Sequence, residues 1–584
     1  MANGTYTGTS NLGVAYPANL PITITVADDS DIATFDCGDG TNGNIALNAT
    51  GSVQTLMVDT ISFTNCKQGI VFSTSLEAQD LSVTSTNFMN VNNAIDFIGS
   101  SLSVDTCVFN SSQYAIQVEN ATAISVVFST FVNSLTSAIH IDCPLGVNSA
   151  QFMSNTLTSG KGFYFNIPLI ANTPTFIGSV QNNIINQPIG DVFTVVDNNW
   201  SFFDNSISGD VGCSTAYVYS GSANDTFFAI QGSKVEGCTS GITYDAPGQL
   251  NIETTSLDVS TNCVSIGEVY EILMVGGNEF NNCAQQALYC RPAVHDIQLE
   301  ISDLALNATG AITFTVLNTT AGSFSTIDFT NTVGRSIEIS GGVWGFDYVT
   351  VTSSSQVQND GGAFHLSGNN DGASFDLAEC GITGASSLGR GGGIYASGVT
   401  LNIAGGTFAQ NNGTSGGAIF FENMVGSALA VQDAYFKDNF ASANGGAIDL
   451  ESTSSAEVEA YFENVEFDEN TAKNGSAIAC CSNNVCGVTL VIEDDTDVRL
   501  SGNNNTGTNG VDVTCPYKDG EFESVASNPN VSISDPVPSE GSSTWWIWLL
   551  VIFSILVVVG VVALVGFVFY KRKRSTYENL DDYQ

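Results

Sequence analysis

The stretch GGAIFFENMVGSALAVQDAYFKDNFASANGGAID, Gly416 to Asp449, opens and closes on the same four letters. Between the two copies of GGAI lies FKDN, Phe436 to Asn439, and FDEN, Phe467 to Asn470, follows with the related turn NGSAI. Aligning on the Ile of each such turn extends the series in both directions. Ile70, Ile95, Ile116, Ile139 and Phe163 lead, and Ile242, Ile312, Ile337, Phe364, Ile394, Ile419, Ile448 and Ile478 follow. Neighbours are mostly about 21 to 30 residues apart, and the stretch from 165 to 300 is less regular. Each unit holds two or three alternating apolar bursts separated by Gly, Asn and Ser, which is the pattern of short strands.

A unit this small cannot bury its own apolar face, but a stack of copies can. The period predicts an all-β, right-handed, single-stranded parallel β-helix, each strand pairing with its equivalent one coil away. In this reading Gly416, Gly417, Gly445 and Gly446 supply turns with positive φ and close approach between coils. Ile419, Ile448 and Ile478 start core-facing strands. Phe436 and Phe467 fill the core, and Asn439 and Asn470 cap bends and stack on asparagines of adjacent coils.

Of 584 residues, 58 are acidic and 14 basic, for a net charge of -44. Such a surface repels phosphate backbones, so nucleic acid is excluded as a partner. The uncharged run Trp545 to Tyr570 is long enough to cross a bilayer as one helix, with Trp and Tyr at its ends. KRKR, Lys571 to Arg574, follows at once, which places the tail in the cytoplasm and the large N-terminal part outside. The domain expectation is a β-helical ectodomain over 1–515, a Ser/Pro/Asn stalk over 516–544, a transmembrane helix over 545–570 and a cytoplasmic tail over 571–584. The first twenty residues show no export signal, so this topology implies a truncated or processed N-terminus.

An exported chain makes the sequons at Asn48, Asn110, Asn120, Asn224, Asn307, Asn318, Asn412, Asn474, Asn504 and Asn530 candidate glycosylation sites. All 14 cysteines precede the membrane segment. Cys213, Cys238 and Cys263 recur at one-coil spacing, and either bond across coils or form a ladder of free thiols. Cys480, Cys481, Cys486 and Cys515 cluster where disulfides would lock the last coil. In the tail, YENL (Tyr577 to Leu580) matches the Tyr-x-x-Φ pattern read by endocytic adaptors.

GGAI together with FxxN resembles the polymorphic membrane protein repeat of surface autotransporters and some protist surface proteins. FAQNNGTSGGAI (Phe408 to Ile419), FKDNFASANGGAI (Phe436 to Ile448) and FDENTAKNGSAI (Phe467 to Ile478) carry the likeness, which covers about 350–515. It implies a surface-displayed β-helix, often adhesive. The expected function is therefore recognition or adhesion to cells, matrix or glycans, without turnover.

The pectate-lyase and polygalacturonase superfold shares the coil, which makes a carbohydrate-active enzyme the alternative. Asp28 with Asp29 and Asp494 with Asp495 lack that superfold's surrounding motifs, and His140, His295 and His365 are scattered. A basic residue set among three acidic ones in a groove would favour the enzyme. A structural coat component is the third reading. No cofactor is expected, and Ca²⁺ has no supporting motif.

Overall fold

In the computed structural model, stretches of residues 4–524 are described, interrupted by short loops, and residues 525–584 lie outside the described residues. The chain divides into two units, Met1–Asp535 and Pro536–Gln584, and all the described residues belong to the first. Every regular element among the described residues is a β-strand. The strands wind as a right-handed parallel solenoid. Among the described residues no helix is long and apolar enough to cross a membrane; the expected span 545–570 lies outside them, as do Tyr577 and Leu580.

One coil of the repeat region runs through Thr400–Ala404, Thr407–Ala409, Asn412–Ser415 and Ile419–Asn423. The next runs through Ala428–Gln432, Tyr435–Lys437, Phe440–Asn444 and Ile448–Ser452. The first two strands of each coil join one long sheet, here called the two-strand face. The isoleucine strands form a second sheet, with 18 members among the described residues, and the remaining class forms a small sheet of four. Pairing continues past Cys515, to Leu500 beside Ser524.

Registers tie the repeat to the core. Ile70 pairs with Ile95, Ile95 with Ile116, and Ile419 with Ile448 and so with Ile478. Where the sequence looked irregular the column persists with other apolar residues: Phe193, Tyr217, Val264 and Leu288 hold the position. Phe314, not Ile312, sits in this column, since Phe314 pairs with Leu288 and Ile337. Phenylalanines stack up the interior with centroids 5.0 Å apart for Phe408 and Phe436 and 5.1 Å for Phe436 and Phe467. Offset stacks of this kind add to the burial of each ring.

The two glycines of GGAI do different work. Gly416, Gly445 and Gly475 have φ of 63°, 59° and 56°, where a Cβ would also strike the carbonyl of the following Ile. Gly417 and Gly446 instead lie against the next coil: a Cβ would meet the carbonyl oxygens of Gly446 and Ser476 respectively. Ser476 takes the second place in NGSAI, where the chain above is Val511 rather than another GGAI turn. Gly446→Ala is expected to cost about 2–3 kcal/mol through overpacking between coils. Gly345→Ala, where an added Cβ meets nothing within 4 Å, serves as the neutral control. Urea midpoints of the two variants check this, and equal midpoints would refute the close-approach account.

The asparagines form a buried ladder. Nδ2 of Asn411 donates to Oδ1 of Asn439 at 3.0 Å, Asn439 to Asn470 at 2.9 Å, and Asn470 to Asn503 at 3.1 Å. Each also donates to a carbonyl of the preceding coil, namely that of Ile382, Phe408 or Phe436. A second ladder, Asn155 to Asn183 to Asn205, occupies a different corner, between the two strands of the two-strand face. Phe152-x-x-Asn155 and Phe202-x-x-Asn205 carry the same motif there.

Disulfides join Cys37 to Cys66, Cys213 to Cys238, Cys263 to Cys283 and Cys480 to Cys515. Cys263 thus leaves the expected Cys213–Cys238–Cys263 series, because it lies inside the strand Asn262–Ile266 while Cys238 ends the strand Lys234–Cys238. Cys107, Cys143, Cys290 and Cys380 are buried free thiols, each pushed up to about 12 chiefly by burial. Cys481 and Cys486 lie outside the described residues.

Candidate functional site

The isoleucine strands point alternate side chains outward, and register brings one outward column together as Glu338, His365, Tyr395, Phe420 and Asp449. His365 and Tyr395 stack with centroids 5.0 Å apart, and Tyr395 and Phe420 at 5.6 Å. Arg390, in the glycine turn just before its strand, lays its guanidinium over both rings, 5.0 Å from the Tyr395 centroid and 4.6 Å from that of Phe420. A cation over desolvated aromatic faces is held by the ring quadrupole.

Carboxylates complete the cluster. The Arg390 backbone N–H donates to Asp360 Oδ1 at 2.7 Å, and Nη2 donates to Asp360 Oδ2 at 2.9 Å and to the Tyr395 hydroxyl at 3.2 Å. Nη1 stands 3.9 Å from Glu422 Oε1. Glu422 Oε2 accepts from the Tyr395 hydroxyl at 2.7 Å and from Ser397 Oγ at 2.9 Å. One coil further, Asp449 is fully buried, and neither carboxylate oxygen has a hydrogen-bond partner among the described residues.

The electrostatics follow from these contacts. Burial opposes the charge of Arg390, but the bond to Asp360 and the nearby Glu422 outweigh it and hold the pKa above its usual value. Burial, with donation to Glu422, pushes Tyr395 up to about 12. Burial lowers His365, helped by Arg335, so its imidazole is neutral at pH 7. Burial raises Asp449 to about 7; Glu451 adds to the rise, while the neighbouring Ser415, Arg390 and the Leu450 backbone only moderate it.

Arg390 is thus a basic residue bonded to Asp360, close to Glu422 and within the field of Asp449, the combination of residue types an acid–base enzyme uses. Arg390, Tyr395, Asp360 and Glu422 are fastened to one another, whereas Asp449, its pKa raised to about 7, is not, and it keeps the enzyme reading open. A general base has to be free and to titrate near the working pH. Arg390 is held by carboxylates, and the Tyr395 hydroxyl keeps its proton and donates a hydrogen bond to Glu422. His365 is neutral, and its Nδ1 is buried without a hydrogen-bond partner among the described residues. Sequence reading missed the cluster. Its one signal was a rare basic residue inside the turn GRGGGIY, Gly389 to Tyr395.

The sequence candidates fall elsewhere. His140 sits in the same outward column between Gln117 and Tyr164, stacked on Tyr164 at 4.7 Å and edge-on to Tyr114 at 5.4 Å. Asp28, Asp29, His295, Asp494 and Asp495 lie outside the described residues, as do Asn224, Asn318 and Asn530. Asn412, Asn474 and Asn504 are exposed and Asn110 is half-buried, whereas Asn48 and Asn120 have buried amide oxygens; Asn307 ends the strand Gln298–Asn307. Among the described residues no group of three or more His, Cys, Asp or Glu is placed to hold a metal ion.

No protein-family model matches the chain, including none for the repeat it resembles. No curated protein matches it either. Among solved structures, a PL6 family alginate lyase, AlyGC, is similar at 8% identity and a TM-score of 0.20, covering 91% of this chain and 95% of that one. An arginine-to-alanine variant of AlyGC is similar at 9% identity and a TM-score of 0.19, covering 92% and 96%. Scores this low carry no argument about activity.

Proposed function

We propose that this is a surface recognition protein whose β-helix binds an extended glycan or matrix chain without turning it over. The observation that carries this reading is an outward row on the two-strand face: Ser82, Ser103, Ser125, Gln151 and Ser179. Parallel strands repeat about every 4.8 Å, so these uncharged hydroxyls and one amide form a regular line of hydrogen-bonding groups. Such a line matches the hydroxyls of an extended sugar chain and offers no group for proton transfer. The acidic surface favours a neutral or cationic ligand over an acidic one. Residues 545–570 anchor the protein in the plasma membrane in this proposal, with Tyr577 and Leu580 presented to an endocytic adaptor.

A second reading rests on the Arg390 cluster: a carbohydrate-active enzyme in which Arg390 neutralises a substrate carboxylate and His365 takes a proton. One experiment separates the two. The full chain, held in detergent, is incubated with neutral, acidic and amino-sugar polysaccharides and with whole cells, and binding and new sugar ends are scored on the same samples. Binding without cleavage is expected, weakened at least tenfold by Ser125→Arg and unchanged by Arg390→Ala. Cleavage that Arg390→Ala abolishes would overturn recognition in favour of the enzyme. Neither binding nor cleavage would overturn both and leave a structural coat component.

A further inference from the structure

The small third sheet gathers three sequons on one edge. Its strands Asn412–Ser415, Phe440–Asn444, Thr471–Ala472 and Asn504–Asn505 stack in that order. Direct register places Asn412 beside Phe440, Phe440 beside Thr471, and Thr471 beside Asn504. Asn474 lies three residues beyond Thr471 and pairs with Asn444. All three sequon asparagines of this sheet are exposed, in Asn412-Gly-Thr414, Asn474-Gly-Ser476 and Asn504-Asn-Thr506. Asn412 and Asn504 stand three coils apart, or about 14 Å at one strand spacing per coil.

Phe440 is the anomaly in this row. It is 42% exposed, although the Phe residues of the adjoining core column are fully buried. A large ring left in water between two sequons lacks a cover within the fold. The apolar C–H face of a pyranose suits an aromatic face, and a sugar on Asn412 starts one strand spacing away. Asn48 and Asn120 are less accessible: each is half-buried and has its amide oxygen buried.

We infer that Asn412, Asn474 and Asn504 carry N-linked glycans that make this sheet a sugar-covered edge, the first sugar on Asn412 packing against Phe440. The inference rests on the reading that this part of the chain is exported. It also assigns ligand recognition to another side of the coil, since a glycan-covered edge is closed to a protein or polysaccharide partner.

The test expresses the full chain in a secretory eukaryotic host and maps glycopeptides by mass spectrometry. Glycan is expected on Asn412, Asn474 and Asn504 and absent from Asn48 and Asn120. A double-mutant cycle of Asn412→Gln with Phe440→Ala then reads the contact: Asn412→Gln is expected to lower the melting temperature in the parent and to have little effect once Phe440 is alanine. Glycans on other sequons but none on these three would overturn the inference while leaving export intact. No glycan on any sequon would overturn export and the inference together. Occupied sites with equal Asn412→Gln shifts in both backgrounds would overturn the Phe440 contact.

Discussion

Asn439→Ala is expected to destabilise the β-helix by roughly 3–5 kcal/mol, since it orphans buried donors on one side of the ladder and removes donors on the other. Without Asn439 Oδ1, the backbone N–H of Asn411 loses its acceptor and Nδ2 of Asn411 loses one of its two. The Phe408 carbonyl and Asn470 Oδ1 each lose a donor. All of these groups are buried, so water cannot replace the lost bonds. Asn439→Asp provides the sharper comparison. It keeps the acceptor side, and its carboxyl, protonated at low pH, recovers one donor. Its deficit is therefore expected to shrink as pH falls, while that of the alanine variant changes little. Urea unfolding of both variants at pH 5 and pH 8 checks the point. Parallel deficits at the two pH values would mean that packing, not the ladder bonds, sets the cost.

The part of this architecture readable in the sequence is the part that repeats in one coil's own letters. A left-handed turn needs Gly416 whatever stands above it, and an isoleucine column announces itself by its period. Roles that depend on the neighbouring coil are harder to read. Phe152-x-x-Asn155 and Phe408-x-x-Asn411 are the same motif, yet they build ladders at different corners, because the strand preceding each belongs to a different place in the coil. Cys263 is 25 residues from Cys238, but its side chain belongs to the isoleucine strand and meets Cys283 instead. The Arg390 cluster is the extreme case. Asp360, Arg390 and Glu422 are about 30 residues apart from one to the next and become neighbours only when register is known to the residue. Composition gives such clusters no signal, since each contributes one ordinary polar residue per coil. The exposed ring of Phe440 was equally silent, because Phe440 begins FASA, outside the FxxN motif, and nothing in one coil's letters marks it.

Asp449→Asn is expected to stabilise the protein at pH 8 and to do little at pH 5. Asp449 occupies the outward column between Phe420 and Ala479 and is fully buried, with both oxygens unpartnered among the described residues. Burial raises its pKa to about 7. The unfolded chain, with an ordinary carboxyl near 4, has released this proton at pH values where the folded chain still holds it. Between those two pKa values the native state binds more protons, so stability falls as pH rises from about 4 to about 7 and levels off above. The full penalty is ~4 kcal/mol at pH 8, and an asparagine returns only part of it because its amide is also buried without partners. A net gain of about 2 kcal/mol at pH 8 is expected, with none or a small loss at pH 5. His365 and His140 titrate in the opposite sense. Burial lowers both, so their contribution is lost as pH falls through the unfolded value near 6.5. The difference between parent and variant at each pH cancels the histidines and isolates the carboxyl. A difference that stays flat from pH 5 to pH 8 would show that Asp449 is ionised throughout, held by Arg390 rather than strained by burial.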